Sequence, residues 1–205
     1  MIYLPSLLSL RRFRLQKARK QGLLPDWAMS YLDTYKQQHS AKQAWKELRF
    51  VVFDTETTGL SHRHDQVLSI GAIAVEKGNI YLGDSMELLL QREAPSQGEN
   101  IAIHGIMPSE SRGGIPEAEA LARFLNFVRG DILVGHHVGF DIAMMEKSMK
   151  GLHPAFSLHN RAIDTARMAR SMDQARERHR FFPLEEYDLD TLCRRFDIRP
   201  GDRHT

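Results

Sequence analysis

Apolar positions cluster in three strand-length runs of this chain, Phe50–Thr55, Val67–Glu76 and Ile80–Leu90, the first opening on the continuous "FVVF" of a buried strand, and they predict three successive strands. Lys77-Gly78-Asn79 separates the second from the third and reads as a hairpin turn. A helical period follows. "IPEAEALARFLNFV" is predicted as a helix with Pro116 in its first turn and Leu121, Leu125 and Val128 on one face. "DILVGH" reads as a short buried strand, and "FDIAMMEKSMK" as a helix with Ile142, Met145 and Met149 turned inward. "RAIDTARMARSM" is a strand end running into a helix that Asp164 caps, and "LDTLCRRFDI" is a last short helix. The polar, Arg-rich segment Asp173–Glu186 is expected to be a loop or excursion. Upstream, residues 1–48 read as helical, and "LPDWAMSYLDTYKQQ" starts at Pro25-Asp26 and repeats Trp27, Tyr31 and Tyr35 every four residues. Strands in succession followed by helix–strand–helix units predict an α/β fold, a mixed sheet flanked by helices.

Composition narrows the class. At 42% hydrophobic and 26% charged residues, the 205-residue chain has the make-up of a soluble globular protein with one core of ordinary size. One cysteine, Cys193, rules out a disulfide framework and reads as a plain buried thiol. No run of 18 apolar residues offers a membrane span. The start, "MIYLPSLLSLRRFRLQ", lacks the charge order and cleavage site of a signal peptide, so a cytoplasmic protein without membrane partners is expected. The net charge of +2 conceals an asymmetry: residues 1–48 hold nine Lys/Arg against three Asp/Glu, net +6, and the remainder is net −4. A basic helical extension (1–48) on an acidic body (49–205) suits a polyanionic partner, and equally suits a solvated structural appendage.

The chemistry is concentrated where the first strand ends, in "RFVVFDTETTGL". Side chains alternate along a strand, so Asp54 and Glu56 project to one face with Cα atoms roughly 6.5–7 Å apart. Carboxylates about 5 Å apart repel by roughly 3 kcal/mol at an effective dielectric of about 20. No Lys or Arg lies nearer in sequence than Arg63 on that side, so a hard divalent cation is the compensation that fits these oxygens. A strand end whose acids reach solvent is the bland alternative. Asp141 in "GHHVGFDIAMM" by itself reads as an ordinary helix cap, and a histidine in the final "PGDRHT" by itself means little, although imidazole is suited to take a proton from water. His62 and His64, just beyond the first acids, read as a solvent loop, and Arg176–Arg180 suits either a solvated face or a nucleic-acid phosphate backbone.

Taken in order, "FDTETTGL", "IHGI", "GHHVGFD" and "DRHT" resemble the motifs of the DnaQ-like 3′–5′ exonucleases, the histidine branch of the four-acid superfamily. Within it the likeness is to the proofreading epsilon type of bacterial DNA polymerase III, and it runs from about Arg49 to Thr205. The resemblance implies a ribonuclease H-like fold with a five-stranded mixed sheet, and two divalent cations, Mg²⁺ or Mn²⁺. It implies metal ligation by Asp54, Glu56 and Asp141, a general base at His204, and contacts to the terminal nucleotide from Thr57, Gly59, Leu60, His104 and Phe140. The implied substrate is single-stranded DNA or a frayed 3′ end, with a DNA polymerase as a possible partner.

Two positions depart from the family pattern. His137 stands where Asn is usual, which changes how the loop before Asp141 is pinned. The family's third motif continues five residues past its histidine to a metal-binding Asp, and this sequence stops one residue after His204. Asp202 lies on the wrong side of that histidine, and Asp188 and Asp190 lie too far upstream. The expectation is therefore an exonuclease domain weakly active as it stands, either truncated before its last helix or a member whose metal site is incomplete. Two other readings remain open: an RNA-trimming exonuclease of the same superfamily, and a catalytically silent module that binds nucleic acid or docks on a polymerase.

Overall fold

The computed structural model describes residues 8–37, 44–92 and 105–199. Strands β1 (Arg49–Thr57), β2 (Val67–Glu76), β3 (Asn79–Leu89), β4 (Ile132–Gly135) and β5 (Ala162–Asp164) form one sheet in the order β3-β2-β1-β4-β5. β1 pairs antiparallel with β2 and parallel with β4; β2–β3 is antiparallel and β4–β5 parallel. The sheet is thus mixed and five-stranded. The β2–β3 hairpin turns on two residues, Lys77 at φ +52° and Gly78 at φ +79°. Positive φ at both central residues is what a two-residue turn needs to match the twist of its strands.

Helices α1 (Leu8–Lys20), α2 (Asp26–Gln37), α3 (Pro108–Arg112), α4 (Glu117–Val128), α5 (Gly139–Leu152), α6 (Thr165–Arg176) and α7 (Leu189–Arg195) complete the described residues, with short 3₁₀ turns at Trp45–Glu47 and Leu184–Tyr187. α4 buries Leu121, Phe124, Leu125 and Val128 against the sheet, and Phe124 lies 5.4 Å from Phe53 of β1, ring centre to ring centre. In α5 the fully buried residues are Met144, Met145 and Met149, while Ile142, expected inside, is half-buried at the margin of the core. The inward stripe of α5 is therefore rotated by part of a turn, because the acid one position before Ile142 also points inward.

Two expectations change. Asp173–Glu186 is not one loop: α6 runs on to Arg176 and Leu184–Tyr187 forms a 3₁₀ turn. Asp173, on the inner side of the last turn of α6, accepts from the Tyr187 hydroxyl and from both terminal nitrogens of Arg195. These bonds, over a small cluster of Ala166, Ala169, Phe182, Tyr187 and Leu192, order a segment whose composition alone looks unstructured. Arg178 and Arg180 do stay on the solvent side, as expected.

The second change concerns the N-terminal segment, which is helical but not merely solvated. Leu15, Ala18, Leu24, Ala28 and Tyr31 belong to the same buried cluster as Val51, Phe53 and Phe124. The Tyr31 ring meets Phe156 edge-on at 6.3 Å, and Trp27 packs half-buried on the same ring. Tyr31 Oη donates to Asn160 Oδ1 at 2.6 Å and accepts from the His159 backbone N–H at 2.8 Å. Asn160 in turn donates to the carbonyls of Arg129 and Asp131, ahead of β4. The side chain of Tyr35 lies outside the described residues. Cys193 is buried, and no described helix is long and apolar enough to cross a membrane.

Candidate active site

β1 carries the site because its pleat divides its side chains cleanly. Val51, Phe53 and Thr55 are buried against the helices, while Val52, Asp54 and Glu56 belong to the other face, Asp54 exposed and Glu56 half-buried. Opposite them on β2 stand Gly71 across from Asp54 and Ser69 across from Glu56, and Glu87 of β3 faces Gly71 in turn. A Cβ at Gly71 would meet nothing within 4 Å, so the sheet is open here. The result is a groove of about 580 Å³ whose lining includes Asp54, Glu56, Gly71, Glu87 and Ile106.

Asp141 arrives from another element. β4 pairs with β1 only as far as Val134 opposite Val52, so the last residues of β1 run on beyond the end of β4. The chain turns there through Gly135, whose Cα sits so close to β1 that a Cβ would lie 3.0 Å from the Phe53 carbonyl oxygen. His137 takes φ +54° in the same turn. Asn is the residue best suited to this left-handed conformation, and histidine is among the few others that adopt it readily. His137 thus takes a backbone shape that Asn would also adopt.

α5 then starts at Gly139, with Asp141 in its first turn and 4% exposed. It is not the helix cap the sequence suggested: the cap position is Val138, and the Asp141 carboxylate is turned onto β1. Its Oδ1 accepts from the Thr55 N–H at 3.0 Å and the Thr55 hydroxyl at 2.6 Å. Burial raises the Asp141 pKa to about 6; the nearby Asp54 charge adds to the rise, and the bonds from Thr55 oppose it. Thr55 went unnoticed in the sequence, although its place between Asp54 and Glu56 obliges it to face the other way.

The loop after β1 holds three further candidates. The Thr57 hydroxyl donates to the Gly59 carbonyl at 2.7 Å, Gly59 is half-buried, and Leu60 at the loop's tip is 87% exposed. Phe140 is half-buried against the core beside Asp141. His62 and His64 are exposed in the same loop, as expected of solvent residues. His104 and His204 lie outside the described residues.

The donor set fits a hard divalent cation. Asp54, Glu56 and Asp141 offer only carboxylate oxygens, and the Asp54 charge adds to the burial that raises the Asp141 pKa, a repulsion that a cation relieves. Among the described residues no three His, Cys, Asp or Glu side chains are gathered tightly enough to hold an ion, so Asp141 is brought to β1 without closing a three-ligand cage.

The RNase_T family, described as exonuclease, matches residues 51–205. The PolC-type DNA polymerase III of Caldanaerobacter subterraneus is 31% identical over 162 residues, 79% of this chain, and that of Bacillus subtilis is 29% identical over 166 residues, 81% of it. In each case the match covers 11% of the relative, so the chain spans about a tenth of the length of these curated relatives. Among solved structures, the zinc-bound complex of Escherichia coli exonuclease I with single-stranded DNA superposes with a TM-score of 0.62 at 21% identity, over 78% of this chain and 37% of that one. The fold is ribonuclease H-like.

Proposed function

The chain belongs to the RNase_T exonuclease family, and on that premise we propose that it is a metal-dependent 3′–5′ exonuclease that removes nucleotides from DNA 3′ ends. Exonucleases of this family generally depend on divalent metal ions. One observation carries the reading to this chain: Asp141, from the helix after β4, is buried against the strand end that bears Asp54 and Glu56. The Asp54 charge is felt at that buried carboxylate, and a divalent cation held between such acids would relieve the repulsion.

Divalent cations, Mg²⁺ or Mn²⁺, when held by Asp54, Glu56 and Asp141, supply the positive charge that stabilises the attacking and leaving oxygens at phosphorus. Asp141 must give up its proton to take part, and Thr55 favours that by donating twice to the same carboxylate oxygen. Thr57, Gly59, Leu60, His104 and Phe140 hold the terminal nucleotide, and His204 takes the proton of the attacking water. Single-stranded DNA or a frayed 3′ end is the substrate, and a DNA polymerase in the cytoplasm is the partner that the PolC likeness favours.

The test follows a 5′-labelled single strand in Mg²⁺. The unmutated chain should shorten the strand stepwise from its 3′ end, and Asp54→Ala should abolish shortening while leaving the fold intact. Mg²⁺ should also raise the melting temperature of the unmutated chain and not that of the variant. Equal metal shifts in both would count against a site at Asp54, and faster shortening of an RNA strand would reassign the substrate.

A further inference from the structure

The nine residues from Thr58 to Gln66 form a loop whose ends meet, with Thr58 N–H donating to the Gln66 carbonyl at 2.9 Å and Gln66 N–H to the Thr58 hydroxyl at 3.0 Å. One side chain fills its middle. Asp65 Oδ1 accepts from the Thr58 hydroxyl at 2.9 Å, and Oδ2 accepts from the Ser61 N–H at 2.8 Å. The same carboxylate lies over the α-carbon of Gly59, so close that a Cβ there would sit 2.7 Å from Oδ2. Asp65 N–H donates to the Ser61 carbonyl at 2.8 Å, closing the ring from the backbone side. Lys147 Nζ then donates to the Asp65 carbonyl at 2.5 Å. Lys147 is on α5, six residues beyond Asp141, so the helix that delivers the buried acid also fixes the loop.

Core packing does not account for this order. Leu60, His62, Arg63 and His64 are exposed, and none of the residues from Thr58 to Gln66 is buried. Ordering an exposed loop costs roughly 1–2 kcal/mol per residue in backbone entropy, so something other than apolar burial must offset it. The contacts described for the Asp65 carboxylate are all within the loop, and that loop displays Leu60 and abuts Thr57.

We propose that Asp65 is the positioning residue of the nucleotide-holding loop, fixing Thr58, Gly59 and Ser61 so that Thr57 and Leu60 meet the terminal nucleotide in one geometry. The proposal rests on the exonuclease reading above. It makes Gly59 a residue selected for room beside a carboxylate, in addition to any contact with substrate. It also makes Asp65 act on binding more than on the chemical step, because the loop touches the nucleotide and not the reacting phosphorus.

The test measures kcat and KM of the full chain on a short single-stranded oligodeoxynucleotide in Mg²⁺, and the Kd of the same strand by fluorescence anisotropy in Ca²⁺. Asp65→Ala should raise KM and Kd about tenfold while kcat stays within about threefold. Asp65→Asn keeps one acceptor oxygen and should fall between Ala and the unmutated chain, which also guards against an unfolded Ala variant. Tyr31→Phe, which loosens the fold at a joint outside the loop, serves as the stability control and should leave KM unchanged. Unaltered KM and Kd in Asp65→Ala, or an equal rise in Tyr31→Phe, would overturn the inference and leave the exonuclease reading standing. An unmutated chain that neither binds nor shortens the strand would remove that reading, and this inference with it.

Discussion

With its carboxylate buried and one oxygen held by Thr55, Asp141 keeps its proton in the metal-free protein up to a pH of about 6, against an ordinary value of 3.8. The sign of the stability effect follows. A carboxyl whose pKa is higher folded than unfolded stabilises the fold fully below 3.8, and that contribution is lost as pH rises through about 6. The loss is on the order of 2–3 kcal/mol by neutral pH, since each pKa unit corresponds to about 1.4 kcal/mol. Urea melts in EDTA between pH 5 and 7.5 should therefore show the unmutated chain weakening with pH relative to Asp141→Asn, which keeps the shape without the charge. Parallel curves for the two would mean that Asp141 is ionised throughout. At this scale the sequence was a good guide to which acids share a face of β1, because pleat parity is local. It was a poor guide to Asp141, whose cap-like setting concealed a partner 86 residues away.

Among the elements, α2 makes the least anticipated contact. Its aromatic stripe gave a helix but not what the helix packs on, and the structure places Tyr31 in a joint with His159 and Asn160, just before β5. The joint fixes the approach to β4 as well, because Asn160 holds the carbonyls of Arg129 and Asp131. Tyr31→Phe keeps the ring against Phe156 and removes only the hydroxyl. It should cost about 1–3 kcal/mol, the penalty for taking a partner from buried polar groups, read as a lower urea midpoint with unchanged slope. A cost near zero would mean that water replaces the hydroxyl and that α2 is held by its apolar contacts alone.

Across the whole molecule, charge and packing assign the N-terminal segment two different tasks. Its buried residues belong to the core, whereas Arg14, Lys17 and Lys20 on α1 are exposed. Deleting the segment would uncover the core and confuse the two tasks. Substituting these three cations with Gln leaves Leu15 and Ala18 in place and isolates the electrostatic one. If they meet backbone phosphates, the slope of log K against log salt should fall by about 2, at roughly 0.7 per phosphate for a single strand. An unchanged slope would leave the segment a structural role only.

The sequence by itself determined the strands, the turn at Lys77-Gly78 and the shared face of Asp54 and Glu56, because each depends on neighbours a few residues apart. Its motifs, read as a family resemblance, also carried the ribonuclease H-like fold and the exonuclease family. Tertiary structure alone decided that Asp141 rests on Thr55, that Tyr31 closes on Asn160, and that Asp65 fills the loop while Lys147 braces it. It also decided that α6 runs through Asp173, which Arg195 and Tyr187 hold from 22 and 14 residues further on. The physical reason is one of range. Periodicity shows which face of an element is apolar, but the strand order and helix packing choose what that face or a lone polar side chain meets, and a single Asp or Tyr carries no period to read.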